Sequence, residues 1–128
     1  MAEQDITLRV LDERFAICKV DNKYPIPMWV LKSRDFYSIT RTHDEMSIVS
    51  TEDSVPDDVQ KESGWKAFKI EGELDFSLIG VISSITGHLA EKEISVFVMS
   101  TYNTDYILVK DEDFEKAVEV LYSKYKLA

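Results

Sequence analysis

From Trp65 to Tyr125 the spacing of apolar residues changes from a strand period to a helical one and back, and the order of those changes restricts the fold more than any other feature. In WKAFKIEG, Trp65, Ala67 or Phe68, and Ile70 mark a strand. Leu78, Ile82, Ile85 and Leu89 then recur at helical spacing, with Ser77 as the expected N-cap and Phe76 against Val81 as a hydrophobic staple. That spacing predicts an amphipathic helix of about four turns. ISVFVMS and DYILVK follow as a hairpin joined by the short polar YNT. Asp111 is placed to cap a last helix whose apolar face is Phe114, Ala117, Val118, Leu121, Tyr122 and Tyr125.

Strand, helix, strand, strand, helix is most of a ferredoxin-like βαββαβ unit, an α+β arrangement with an antiparallel sheet and helices on one face. Its final strand is either the KYKLA tail or ITLRVL returning from the N-terminal half. The pattern leaves both open. Both hairpin strands are apolar on both faces: Ile94, Val96 and Val98 alternate with Phe97 and Met99, and Tyr106 and Leu108 with Ile107 and Val109. A sheet covered by helices on one side alone shows polar alternation, so the other face must also be buried, by the first half or by a second chain.

Composition shifts once, over TEDSVPDDVQKESG, which is acidic and nearly devoid of apolar residues. It is expected to be a boundary loop over 52–63, closing a first module (1–63) and preceding a second (64–128). Before it, ITLRVL, FAICKV, FYSIT and MSIVS are short apolar runs separated by turn residues, a mostly strand pattern. The prolines of YPIPMW forbid a long helix there, and only Trp29 to Lys32 is expected to turn helically.

A net charge of −9 supplies no basic stripe and repels polyanions, which argues against nucleic acid and acidic membranes as partners. Cys18 is the single cysteine, which excludes an internal disulfide and fits a reducing compartment, the cytoplasm by default. The N-terminus lacks the basic and apolar regions of a signal peptide, and no stretch approaches the ~20 apolar residues of a membrane span. His43 and His88 have no ligand at a metal spacing, and His88 is expected on the exposed side of its helix. Glu71, Glu73 and Asp75 read as a solvated loop, and Trp29 and Trp65 as buried packing. Nucleophile, phosphate-loop and dinucleotide motifs do not occur, so neither a catalytic residue nor a cofactor or metal is expected.

In the βαββαβ topology the loop GELDFSLIG and the hairpin STYNTDY meet at one end of the sheet. There the helix start offers free N–H groups to a carboxylate, with Gly80 in the first turn allowing close approach, and Asp105 is placed to accept hydrogen bonds from an ammonium. Two such seats describe the ends of an α-amino acid. Spacing alone favours the plainer reading, in which Gly80 serves helix-to-sheet packing and Asp105 solvates a turn.

Residues 64 to 121, with the motifs DFSLIG and ISVFVMSTYNTDYILV and the acidic start of the last helix, resemble the ACT domain, in particular bacterial two-ACT-domain proteins related to the cytosolic arginine sensor of growth signalling. LRVLDERFAICKV, PIPMW and FYSITRTHDEMSIVS resemble the degenerate first ACT domain of the same group. The resemblance implies two tandem ferredoxin-like ACT modules, the first degenerate and strand-rich, acting as a non-catalytic regulatory binder of an amino acid or similar small ligand. It further implies that Gly80, Thr101, Tyr102 and Asp105 contact the ligand from one domain, and Ser95 and Val96 from its neighbour. Leu78 stands where the arginine sensor has an acidic residue for the cationic side chain, so arginine itself is not implied. The competing reading is a structural or protein-interaction ACT protein with no ligand.

In ferredoxin-like sheets the strand after the first helix lies at the margin, which makes 94–101 an apolar edge without a proline, lysine or inward charge to block pairing. A homodimer is therefore expected through this strand, paired antiparallel with its own copy about an axis near Val98.

Overall fold

The computed structural model describes residues 5–33, 36–72 and 80–128. In chain order the strands are β1 (Thr7–Val10), β2 (Phe15–Val20), β3 (Tyr37–Arg41), β4 (Met46–Thr51), β5 (Gln60–Ile70), β6 (Val96–Ser100), β7 (Asp105–Lys110) and β8 (Lys126–Leu127). The helices are α1 (Val81–Glu91), between β5 and β6, and α2 (Phe114–Tyr122), between β7 and β8. The molecule is thus α+β and rich in strand. The chain divides into two compact units, one made of residues 13–65 and one of residues 5–12 with the residues described from 66 onward.

In the contiguous unit, β2 pairs antiparallel with β4 and with the start of β5, and β4 pairs with β3. Alternate residues of these strands face one core of Ala16, Cys18, Val30, Met46, Ile48 and Val55, with Trp29 and Ile39 packed on it. Val30 reaches that core from a 3-10 helix over Met28–Lys32, the helical turn expected between the prolines and Lys32. Buried Ser33 ends this segment, donating to the Phe36 carbonyl at 2.5 Å and accepting from the Thr51 N–H at 3.1 Å.

The other unit is laid out in the order β6, β7, β5, β1, β8. Leu8 and Val10 of β1 stand opposite Ile70 and Phe68 of β5, antiparallel, and β8 extends the sheet parallel to β1. Both candidates for the missing strand are therefore used: ITLRVL takes the place beside β5, and the tail adds one more short strand outside it. Ile85 and Leu89 of α1 and Ala117 and Leu121 of α2 cover one face, closing a core with Leu8, Phe68, Ile70, Ile107 and Val109. Each such Leu, Ile, Val or Phe side chain stabilises the unit by about 1.5–3 kcal/mol relative to exposure.

Several expectations change in detail. Residues 52–63 are not a loop throughout: a 3-10 helix occupies Glu52–Ser54, and strand β5 begins at Gln60. Gln60, Lys61 and Glu62 pair with β2 by backbone while keeping polar side chains, so they carry no apolar period. The first strand clusters with residues beyond 66 rather than with its sequence neighbours, because its Leu8 fills the core beneath the helices. Ser77, Phe76 and Leu78 lie outside the described residues, and α1 is described from Val81, with Gly80 as its N-cap rather than in its first turn. Asp111 opens a 3-10 helix over Asp111–Asp113 instead of capping α2, whose N-cap is Asp113 without a side-chain bond. Tyr122 is exposed, whereas Val120, outside the expected apolar face, packs partly buried against the core.

Candidate functional site

Chain reversal between β6 and β7 takes place at Thr101–Thr104. The Thr101 N–H donates to the Thr104 carbonyl at 2.8 Å, and the Thr101 hydroxyl donates to the same carbonyl at 3.1 Å while accepting from the Thr104 N–H at 3.2 Å. Thr104 is buried, and its hydroxyl donates to the carbonyl of Ile70, the last residue of β5, at 2.6 Å. Two strands that are far apart in sequence thus share one fixed end. Asp105 opens β7 as a half-buried residue directly opposite Ser100, whose hydroxyl donates to Asp105 Oδ1. Among the described residues Asp105 Oδ2 has no hydrogen-bond donor. Thr101 and Tyr102 are exposed at the tip, Tyr102 by 81%.

Gly80 heads α1. The far end of that helix is tied to the approach to β6, where the Ile94 N–H bonds back to the Leu89 carbonyl at 3.1 Å. Running back from there over about 16 Å, the helix start points toward the end of the sheet that holds the hairpin tip. Gly80 adopts φ +82°, a left-handed conformation that disfavours every side chain but hydrogen, and an added Cβ would meet no atom within 4 Å. Backbone conformation, not close packing, therefore accounts for glycine here. With no side chain of its own, Gly80 offers no cap to the first-turn amides.

Ser95 and Val96 lie at the opposite end of β6, Ser95 exposed and Val96 half-buried against Val109. At the rise of a strand, Ser95 is about 17 Å from Ser100. One chain therefore brings Thr101, Tyr102 and Asp105 together and keeps Ser95 and Val96 away from them. Among the described residues β6 pairs with β7 alone, so its outer edge is open, and Val98 at its middle is 37% exposed. The opposite flank of the hairpin is apolar and closed: Ile107, Leu108 and Val109 are all buried, which takes in both faces of β7.

The sequence alone gives no local mark to Ser100 and only a faint one to Thr104. The signal was present in the T-x-x-T spacing of Thr101 and Thr104, which suits a side-chain-capped turn, but the Ile70 acceptor lies 34 residues away and leaves no local trace.

The remaining polar groups serve structure. Burial pushes the Cys18 thiol up from its ordinary value, with Lys61 opposing, which keeps it protonated and a poor nucleophile. The Arg9 guanidinium is ion-paired with Glu71 and holds that carboxyl below its ordinary value. His88 is half-buried rather than exposed, edge-on to the Tyr125 ring at 5.9 Å, while the Tyr125 and Ser84 hydroxyls are hydrogen-bonded at 2.7 Å. Among the described residues no three His, Cys, Asp or Glu side chains converge as a metal ion requires, and no helix is long and apolar enough to cross a membrane. An open cleft of about 570 Å³ lies in the contiguous unit, lined by Glu13, Arg14, Lys32 and the Thr51–Ser54 segment, and none of the six candidate residues borders it.

A family model for the ACT domain matches residues 60–123, which take in β5, α1, the hairpin and α2. The chain belongs to the ACT domain family. A second family model, for an N-terminal domain, matches residues 13–58, nearly the contiguous unit. The human cytosolic arginine sensor for mTORC1 subunit 1 is 31% identical over 94 residues, 67% of this chain and 29% of that protein. The chain thus spans about three tenths of the length of that curated relative. A crystal structure of a protein from Agrobacterium tumefaciens superposes with a TM-score of 0.89 at 35% identity, covering 96% of this chain and 92% of that one. The regulatory subunit of aspartate kinase from Thermus thermophilus shares the fold, with a TM-score of 0.60 at 10% identity over 91% of this chain and 95% of that one.

Proposed function

We propose that this ACT protein is a non-catalytic regulatory module of the cytosol, built of two tandem ACT-like modules, that binds an amino acid at an interface between two of its copies. The observation carrying the reading is the division of the candidate residues along β6: Asp105, Thr101 and Tyr102 gather at one end, Ser95 and Val96 stand about 17 Å away, and among the described residues the strand between them has an open edge. Antiparallel pairing of β6 with its own copy about Val98 sets Ser100 against the partner's Val96 and Thr101 against the partner's Ser95. The two halves of the site then meet. Each of two equivalent sites comprises the N-terminus of α1 at Gly80 for the ligand carboxylate, Asp105 for its ammonium, and Ser95 with Val96 from the partner as a wall. The name of the human relative, an arginine sensor, supports an amino acid as the ligand class.

The test is a thermal-shift screen of the proteinogenic amino acids, paired with sedimentation analysis. A ligand held only by the native dimer raises the melting temperature and favours the dimer together. No shift with any amino acid at millimolar concentration, or a monomer throughout, overturns the proposal.

A further inference from the structure

We propose that Ser100 is a positioning residue of this site, its hydroxyl orienting Asp105 toward the ammonium group of a bound amino acid. The inference rests on the function proposed above and assigns a role to a residue that nothing else singles out.

Ser100 and Asp105 face each other across the last rung of the β6–β7 ladder, and the Ser100 hydroxyl donates to Asp105 Oδ1. That bond leaves Oδ2 without a donor among the described residues. A half-buried carboxylate with one oxygen engaged and the other open is already turned toward an incoming donor, so less torsional freedom is lost when the ligand arrives. The backbone beneath the pair is fixed as well. The Thr101–Thr104 turn closes the hairpin immediately beyond it, and the Thr104 hydroxyl ties that turn to Ile70 at 2.6 Å. Ser100 also lies on the open edge strand, at the position that a β6 pairing about Val98 sets against the partner's Val96. The serine thus stands between the acidic contact from its own chain and the wall from the other. A purely structural role makes a different forecast, because Ser100 is exposed and its removal would then lower stability slightly while leaving ligand selection untouched.

The experiment measures, by calorimetric titration of the full chain, binding of each proteinogenic amino acid and of the carboxylic acid with the same side chain but no ammonium group. Ser100→Ala is expected to weaken amino-acid binding roughly tenfold, as for loss of a hydrogen bond to a charged group, and to leave binding of the ammonium-free acids unchanged. Ser100→Thr, which keeps the donor, is expected to restore affinity to within about threefold. In an Asp105→Asn background, where binding is already weakened, Ser100→Ala is expected to add little, because the two residues act as one unit. The positioning role is overturned alone if the wild-type chain binds an amino acid and Ser100→Ala leaves its affinity unchanged. It is also overturned alone if Ser100→Ala weakens amino acids and ammonium-free acids equally. If the wild-type chain binds no amino acid, the proposed function and the positioning role fall together.

Discussion

The Thr104 hydroxyl reaches the carbonyl of Ile70 at 2.6 Å, so the tip of the β6–β7 hairpin is held by the end of the strand that leads toward α1. Thr104→Val keeps the shape and removes the hydrogen bond. The expected cost is about 1 kcal/mol in chemical denaturation. Because the same bond steadies Asp105, amino-acid affinity is expected to fall as well. A variant of unchanged stability would show that the bond adds nothing net.

Val98→Lys is expected to weaken dimerisation and amino-acid stabilisation in parallel, since it puts a charge at the centre of the proposed pairing strand. Val98 is already 37% exposed, so the unliganded monomer is expected to keep its fold by circular dichroism. Loss of the dimer with full retention of the ligand-induced thermal shift would separate the two and refute the interfacial site.

Lys66 is buried and donates to the Leu11 and Asp12 carbonyls at 2.9 and 3.1 Å, with its ammonium 5.3 Å from the centre of the Phe114 ring. Lys66→Met fills similar space but withdraws both donors. An expected loss of about 1–3 kcal/mol by urea unfolding follows from the unpaired carbonyls. A variant as stable as the parent would mean that water replaces the ammonium at no cost.

Alkaline pH is expected to destabilise the chain through Cys18. Burial raises the thiol pKa in the folded state, so its contribution is complete below the ordinary value of 9.0 and is lost as pH climbs through the folded value. Cys18→Ala should flatten that alkaline limb. At neutral pH, a thiol reagent is expected to label the native chain slowly and the denatured chain at once; equal rates would contradict the burial.

Much of this architecture was legible in the sequence wherever a side-chain period recorded burial. FAICKV forms β2 from Phe15 to Val20, and the Ile85 and Leu89 pair marked the buried face of α1. Where the backbone alone carries the structure, the pattern fell silent. Gln60 to Glu62 pair as strand with polar side chains, and so resembled a linker. Leu8 had two plausible destinations because a short alternating run fits beside either unit. At the candidate site Asp105 was conspicuous for its place beside a turn, whereas Ser100 and Thr104 act through partners that only the folded chain brings within reach.

The division of the chain into a continuous unit and a discontinuous one sets an order of events during synthesis. Residues 13–65 form one compact unit within one stretch of chain and are free to fold while the remainder is still being made. Strand β1 precedes that unit in the chain, yet Leu8 lies opposite Ile70 of β5, which is made only after most of the unit. Until β5 is complete, the apolar side chains of β1 lack the strand that they face in the finished fold. Docking of β1 thus follows, rather than precedes, the folding of the unit that comes after it in the sequence.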